Sequence, residues 1–165
     1  MKPLAEIYLS RAETDLVGAR VLFEVSKSNE LQQQSFKLEK DFTFYSLAIA
    51  HSYYSIFYSA KAMLANTGIK TYPPNEHWKT YDIFEKHFVR TGKLDTELLE
   101  IYKDTAVKAE ALLGIFFIEK KKRGKFTYKK LPQANMGPAS KSLENASLFF
   151  KSIGTILRIK KTESR

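Results

Sequence analysis

Residues 51–64 read His51-Ser52-Tyr53-Tyr54-Ser55-Ile56-Phe57-Tyr58-Ser59-Ala60-Lys61-Ala62-Met63-Leu64, with Lys61 the one formally charged side chain among them. Tyr53, Phe57, Ala60 and Leu64 recur at i, i+4, i+7 and i+11, which places them on one face of an α-helix. Ser52, Ser55, Ser59 and Ala62 form an adjoining stripe of small side chains, beside which a second helix, from the same chain or from a partner, can come close. Tyr54, Tyr58 and Lys61 fall on a different face from Tyr53 and Phe57, so the two tyrosine hydroxyls are expected to point towards a cleft or a dimer partner. Ser52, Tyr54, Ser55, Tyr58 and Ser59 are therefore the candidate cleft or dimer residues. A stretch this apolar and this periodic is a buried central helix, and it fixes the fold class as helical.

Outward from it, the same period continues in both directions. Leu4, Ile7, Ala12, Leu16, Ala19 and Phe23 predict a first helix over residues 4–25, ended by Ser26-Lys27-Ser28-Asn29. Residues 30–40, with Gln32-Gln33-Gln34, are polar and read as a loop or a frayed turn. The second helix spans residues 41–66 and stops at Asn66-Thr67-Gly68. Pro73-Pro74 breaks the chain, and Asn75 is the expected N-cap of a short third helix that runs to Arg90 and closes at Thr91-Gly92. A fourth helix begins after Asp95, carries Leu98, Leu99, Tyr102, Ala106, Ala109, Leu113, Phe116 and Phe117, and ends at Gly124. Pro138 suits the first turn of a fifth, which carries Leu143, Ala146, Phe149, Phe150, Ile153, Ile156 and Leu157. No strand-like alternation of useful length interrupts this order. The expected fold is all-α: an up-and-down bundle of four long helices and one short one, forming a single domain over residues 1–160 with 161–165 as a frayed basic tail.

The 165 residues match the usual size of one domain, and 44% hydrophobic content is enough to build a core. There are no cysteines, which excludes disulfides and cysteine-ligated metal centres and fits a reducing cytoplasm. The start lacks the apolar run of a signal peptide, and nowhere do about 18 uncharged apolar residues follow one another, so a cytoplasmic protein without a membrane span is expected. The net charge of +9 is local. Lys120, Lys121, Lys122, Arg123, Lys125, Lys129 and Lys130 follow one another without an acidic residue, and Phe126 and Tyr128 stand among the last of them. Such a segment holds phosphates by charge and a base by stacking. The plainer reading is a solvated loop that keeps the surface polar.

Four pieces of the chain, in order, resemble HEPN domains. They are Tyr53 to Leu64, the apolar and basic run Ile83 to Gly92, Arg123-Gly124-Lys125-Phe126-Thr127-Tyr128, and Ala146-Ser147-Leu148-Phe149-Phe150. The resemblance implies a helical bundle that pairs as a homodimer with a cleft between protomers. It also implies RNA or a nucleotide as ligand, and metal-independent endoribonuclease activity in many members. A small nucleotidyltransferase often serves as the antitoxin partner. In active members an arginine is followed, after four to six residues, by a histidine; no arginine of this chain has a histidine five to seven positions later. His51 stands where relatives often carry an arginine, two residues before the tyrosine pair.

The missing histidine matters for chemical reasons. Cleavage by 2′-OH attack needs a group to take the 2′ proton, a proton for the leaving 5′-oxygen, and a cation against the charge developing on phosphorus. Arginine suits the last role and histidine the first two. Arg123, Tyr128 and His51 are the candidate catalytic residues, and Lys120, Lys121, Lys122, Arg123, Lys125, Phe126, Lys129 and Lys130 the candidate phosphate-binding residues. The competing reading of His51 is a hydrogen-bonded core or interface residue. His77 reads as part of the first turn of the third helix and His87 as a surface residue of the same helix, and none has a convincing ligand neighbour at i+3 or i+4, so neither metal nor cofactor is expected. Against the RNA-binding or ribonuclease reading stands a non-catalytic module, in which the helices serve dimerisation and protein docking.

Overall fold

The first helix, α1 (Pro3–Lys27), begins with a proline whose missing N–H costs nothing at a helix start. It sets Leu9, Leu16 and Phe23 seven residues apart, with Ala5, Ala12 and Ala19 at the same interval between them, all buried. This large and small alternation lies along α2 (Tyr45–Thr67), with which α1 makes its most extensive contact. Ile7, expected on that stripe, is 62% exposed, because Ala5 and Leu9 rather than Ile7 hold the inward register. The computed structural model describes residues 1–39, 42–95, 109–124 and 136–163, with side chains at 113–123 and 136–159 of the last two helices.

Tyr53, Phe57, Ala60 and Leu64 are at most 2% exposed, as their spacing predicts. α2 starts at Tyr45 rather than near residue 41. The Phe44 N–H is donated to the Ser26 Oγ at 2.7 Å, which anchors this backbone to the end of α1 instead of in a helical turn. Between the two helices a wide turn over Leu31–Ser35 sends the Gln32 side chain back, where its Nε2 donates to the carbonyls of Val25 and Ser26 at 3.0 Å each. The polar glutamine run thus caps α1 rather than fraying. α2 closes on Gly68, whose φ of +94° is the left-handed conformation a glycine adopts without strain.

α3 (Glu76–Phe84) follows the two prolines and widens into a turn over Glu85–Val89 before Gly92, at φ +70°, ends the segment. Asn75 precedes α3 as expected, but in a left-handed conformation with φ +60°; its side chain makes no capping bond, and its carbonyl accepts the Lys79 N–H instead. Residues 93–95 enter a helical turn; α4 (Ala109–Gly124) and α5 (Met136–Glu163) complete the described chain. α5 places Pro138 in its first turn and stays helical through Glu163. Phe84, Phe116 and Phe149, one from each of α3, α4 and α5, meet with ring centres 5.8–6.3 Å apart at the centre of the core. The fold is all-α, with α2 as its buried axis. Among the described residues no helix is long and apolar enough to cross a membrane.

Candidate functional site

Three helices bring polar groups to one cleft at the edge of the aromatic core. α2 supplies Tyr53 and Tyr54, the first turn of α3 supplies Glu76, His77 and Trp78, and the last turn of α4 supplies Lys120 and Arg123. Consecutive residues on a helix diverge by about 100°. Tyr53 therefore points fully inward while Tyr54 reaches the rim half-buried. The Tyr53 hydroxyl lies 2.8 Å from His77 Nδ1, and Arg123 Nη1 donates to the Tyr54 hydroxyl at 3.1 Å. The guanidinium carbon sits 4.9 Å from the Tyr53 ring centre and 5.6 Å from that of Tyr54. His77 packs its ring 4.2 Å from Phe57. The open side is a cleft of about 550 Å³ lined by Pro73, Asn75, Glu76, His77, Trp78 and Lys120.

What holds α3 in this place is an ion pair. Lys61, 7% exposed, donates to the Glu76 carboxylate and lies 4.5 Å from the Tyr8 ring centre. Burial pulls the Lys61 ammonium down, but its hydrogen bonds to Glu76 and Tyr8 outweigh that and leave it above the usual lysine range. The charge of Lys61 is thus buried and fastens the first turn of α3 to α2.

The electrostatics of the cleft follow from its burial and its cations. Burial, then the Arg123 charge, push His77 down to about 4, with Glu76 opposing them in part, so the imidazole is neutral at pH 7. Burial raises the Tyr53 phenol well above its ordinary range, with Arg123 offsetting only part of it. Lys120 is lowered by burial and by repulsion from Arg123, and its ammonium rests 4.5 Å from the Trp78 ring centre and 5.9 Å from that of Tyr81. The site thus holds two cations that disfavour one another, a neutral imidazole between two tyrosines, and an indole ledge.

The basic run is not wholly a loop: its residues through Gly124 are the end of α4. Helical period sends them to different sides. Lys120 and Arg123, three apart, face the cleft. Lys121 is exposed, 4.3 Å from the Phe117 ring centre. Lys122 turns to α5, donating to Glu119 Oε1 at 3.0 Å and Ser142 Oγ at 3.3 Å, and so serves packing. Lys125, Phe126, Tyr128, Lys129 and Lys130 lie outside the described residues. His51 is not brought to Arg123; its Nδ1 lies 2.7 Å from the Asp15 carboxylate on α1. Ser52, Ser55 and Ser59 are 0% exposed in the single chain, so their stripe is covered by the chain's own helices. Tyr58, half-buried, stacks between Tyr8 and Tyr54 with the Arg11 guanidinium 4.3 Å from its ring centre. Among the described residues no three His, Asp or Glu side chains are grouped to hold a metal ion.

Sequence reasoning passed over His77, Glu76 and Trp78 as a helix start. The available signal was their position directly after a proline break in a chain whose central helix carries two tyrosines.

No known family profile matches the sequence. Over 81 residues, 49% of the chain, it is 33% identical to a Methanocaldococcus jannaschii protein named "Putative toxin MJ0142". The match takes in 50% of that protein, so the chain spans about half the length of the curated relative it matches.

Proposed function

We propose that this chain is a HEPN-type, toxin-like RNA-binding protein that cleaves RNA without metal at the cleft of Arg123, His77, Tyr54 and Lys120. The observation that carries this reading is the meeting of His77 with Arg123 around the Tyr53 ring. The arginine and histidine that the sequence lacks as a local pair are neighbours in space. Arg123 and Lys120 face a phosphate, which relieves their mutual repulsion. With its proton on Nδ1, donated to the Tyr53 oxygen, the neutral His77 presents the Nε2 lone pair. The 2′-OH proton passes to Nε2, the P–O2′ bond forms as the P–O5′ bond breaks, and the departing 5′-oxygen takes a proton from water. The products are a 2′,3′-cyclic phosphate and a 5′-hydroxyl. The toxin name of the relative supports a toxin-like role, and with it an antitoxin partner; the homodimer and a nucleotidyltransferase as that antitoxin rest on the HEPN resemblance alone.

The test is incubation of structured RNA with the protein in excess chelator. Cleavage with cyclic-phosphate ends is expected, falling by about 100-fold or more in His77→Ala, the usual scale for loss of a proton-transfer group. Binding of uncleaved RNA weakens in Arg123→Ala. Intact RNA at high protein concentration removes the nuclease role; RNA binding that is indifferent to Arg123→Ala removes the site.

A further inference from the structure

The cleft is larger than a phosphate needs, and its wall is aromatic. Its volume of about 550 Å³ lies in the range of about 300–1,000 Å³ typical of small-molecule pockets. Trp78 is 53% exposed in it. A large indole left to solvent is held in place here, stacked on Tyr81 with ring centres 5.6 Å apart and planes 24° from parallel. Pro73 lines the same cleft, as does Lys120, whose ammonium lies over the indole and within the field of the Arg123 charge. The acidic residue on the wall, Glu76, is paired with buried Lys61 and does not confront a ligand as a bare charge. An aromatic surface, an apolar proline and a cation within one cavity is the arrangement that takes a nucleobase by stacking while holding its phosphate.

Resting on the RNA reading above, we propose that this cleft is a single-nucleotide subsite: a base stacks on Trp78 beside Pro73, and its phosphate is held by Lys120 and Arg123. The exposed Asn75 amide stands at the lining where a base edge would lie, so it is placed to favour one base over another.

Trp78 is the sole tryptophan of the chain, so its fluorescence reports on this cleft alone. The full chain is titrated with AMP, GMP, CMP and UMP, and separately with inorganic phosphate, by emission and by calorimetry. Saturable quenching by at least one nucleotide is expected, with phosphate binding more weakly and competing. Calorimetry on Trp78→Leu should show nucleotide affinity reduced roughly tenfold or more, the scale of one lost stacking contact, with phosphate affinity unchanged. Trp78→Phe, which keeps a ring, should retain most of it, and Lys120→Ala should weaken both ligands. No binding of any nucleotide while RNA still binds through Arg123 overturns the subsite and spares the RNA reading; so does equal affinity for nucleotides and phosphate. Nucleotide binding without RNA binding overturns the RNA reading and keeps the subsite.

Discussion

His77 is neutral because burial and Arg123 both oppose its charge, and that has a measurable sign. Its folded value of about 4 lies below the ordinary 6.5, so between these two pH values the unfolded chain takes up a proton that the folded chain refuses. Stability is therefore flat in this group above about pH 6.5 and declines as pH falls towards 4. A histidine NMR titration should find His77 near 4, and denaturant unfolding at pH 7 and pH 5 should show a pH slope that His77→Gln reduces. By reciprocity a bound phosphate monoanion, which neutralises part of the Arg123 field, raises the His77 value; an unmoved titration in saturating ligand would argue against phosphate at this cleft. The Lys61–Glu76 pair obeys the opposite logic. Glu76→Gln leaves an ammonium buried without its carboxylate and should cost about 3 kcal/mol, read as a lower denaturation midpoint.

At the scale of the element, the last turn of α4 shows how one basic run divides its work. Lys122 is tied to Glu119, which is itself 0% exposed, whereas Lys120 faces the cleft. Lys122→Ala should thus lower stability and leave RNA affinity nearly unchanged, and Lys120→Ala should do the reverse; binding and melting measured on both variants separate the roles. Gly68 gives an independent check. Any other residue there meets a left-handed backbone and, at its Cβ, the Lys2 ammonium 3.2 Å away, so Gly68→Ala should destabilise by about 1 kcal/mol. The elements themselves were legible because their signals are local: the apolar period of α1 and α2, glycine after α2, proline at the start of α5. The start of α2 was not, because the Ser26 hydroxyl that holds Phe44 comes from 18 residues earlier and leaves no trace in the spacing.

At the scale of the whole molecule, the site depends on the same core that makes the fold. Phe116 lies against Phe84, Phe149, Tyr53 and Tyr81, and so joins the α4 cations to the α3 imidazole. Phe116→Ala should cost about 3–5 kcal/mol by loss of packing. The candidate site was only half legible. Arg123 and Lys120 stand out as charge, but their partner His77 lies 46 and 43 residues away, brought near by helices whose order in space the sequence does not state. His51, a candidate read from sequence, is turned to α1 by Asp15. Local pattern predicts elements, and chemistry that converges from three of them becomes readable only when they are packed.

The ammonium of Lys61 fastens Glu76, and with it the first turn of α3 that lines the cleft, before any ligand arrives. Little has to be reorganised on binding, so association should follow a single phase whose rate rises linearly with ligand concentration, with differences between ligands carried by how slowly they leave.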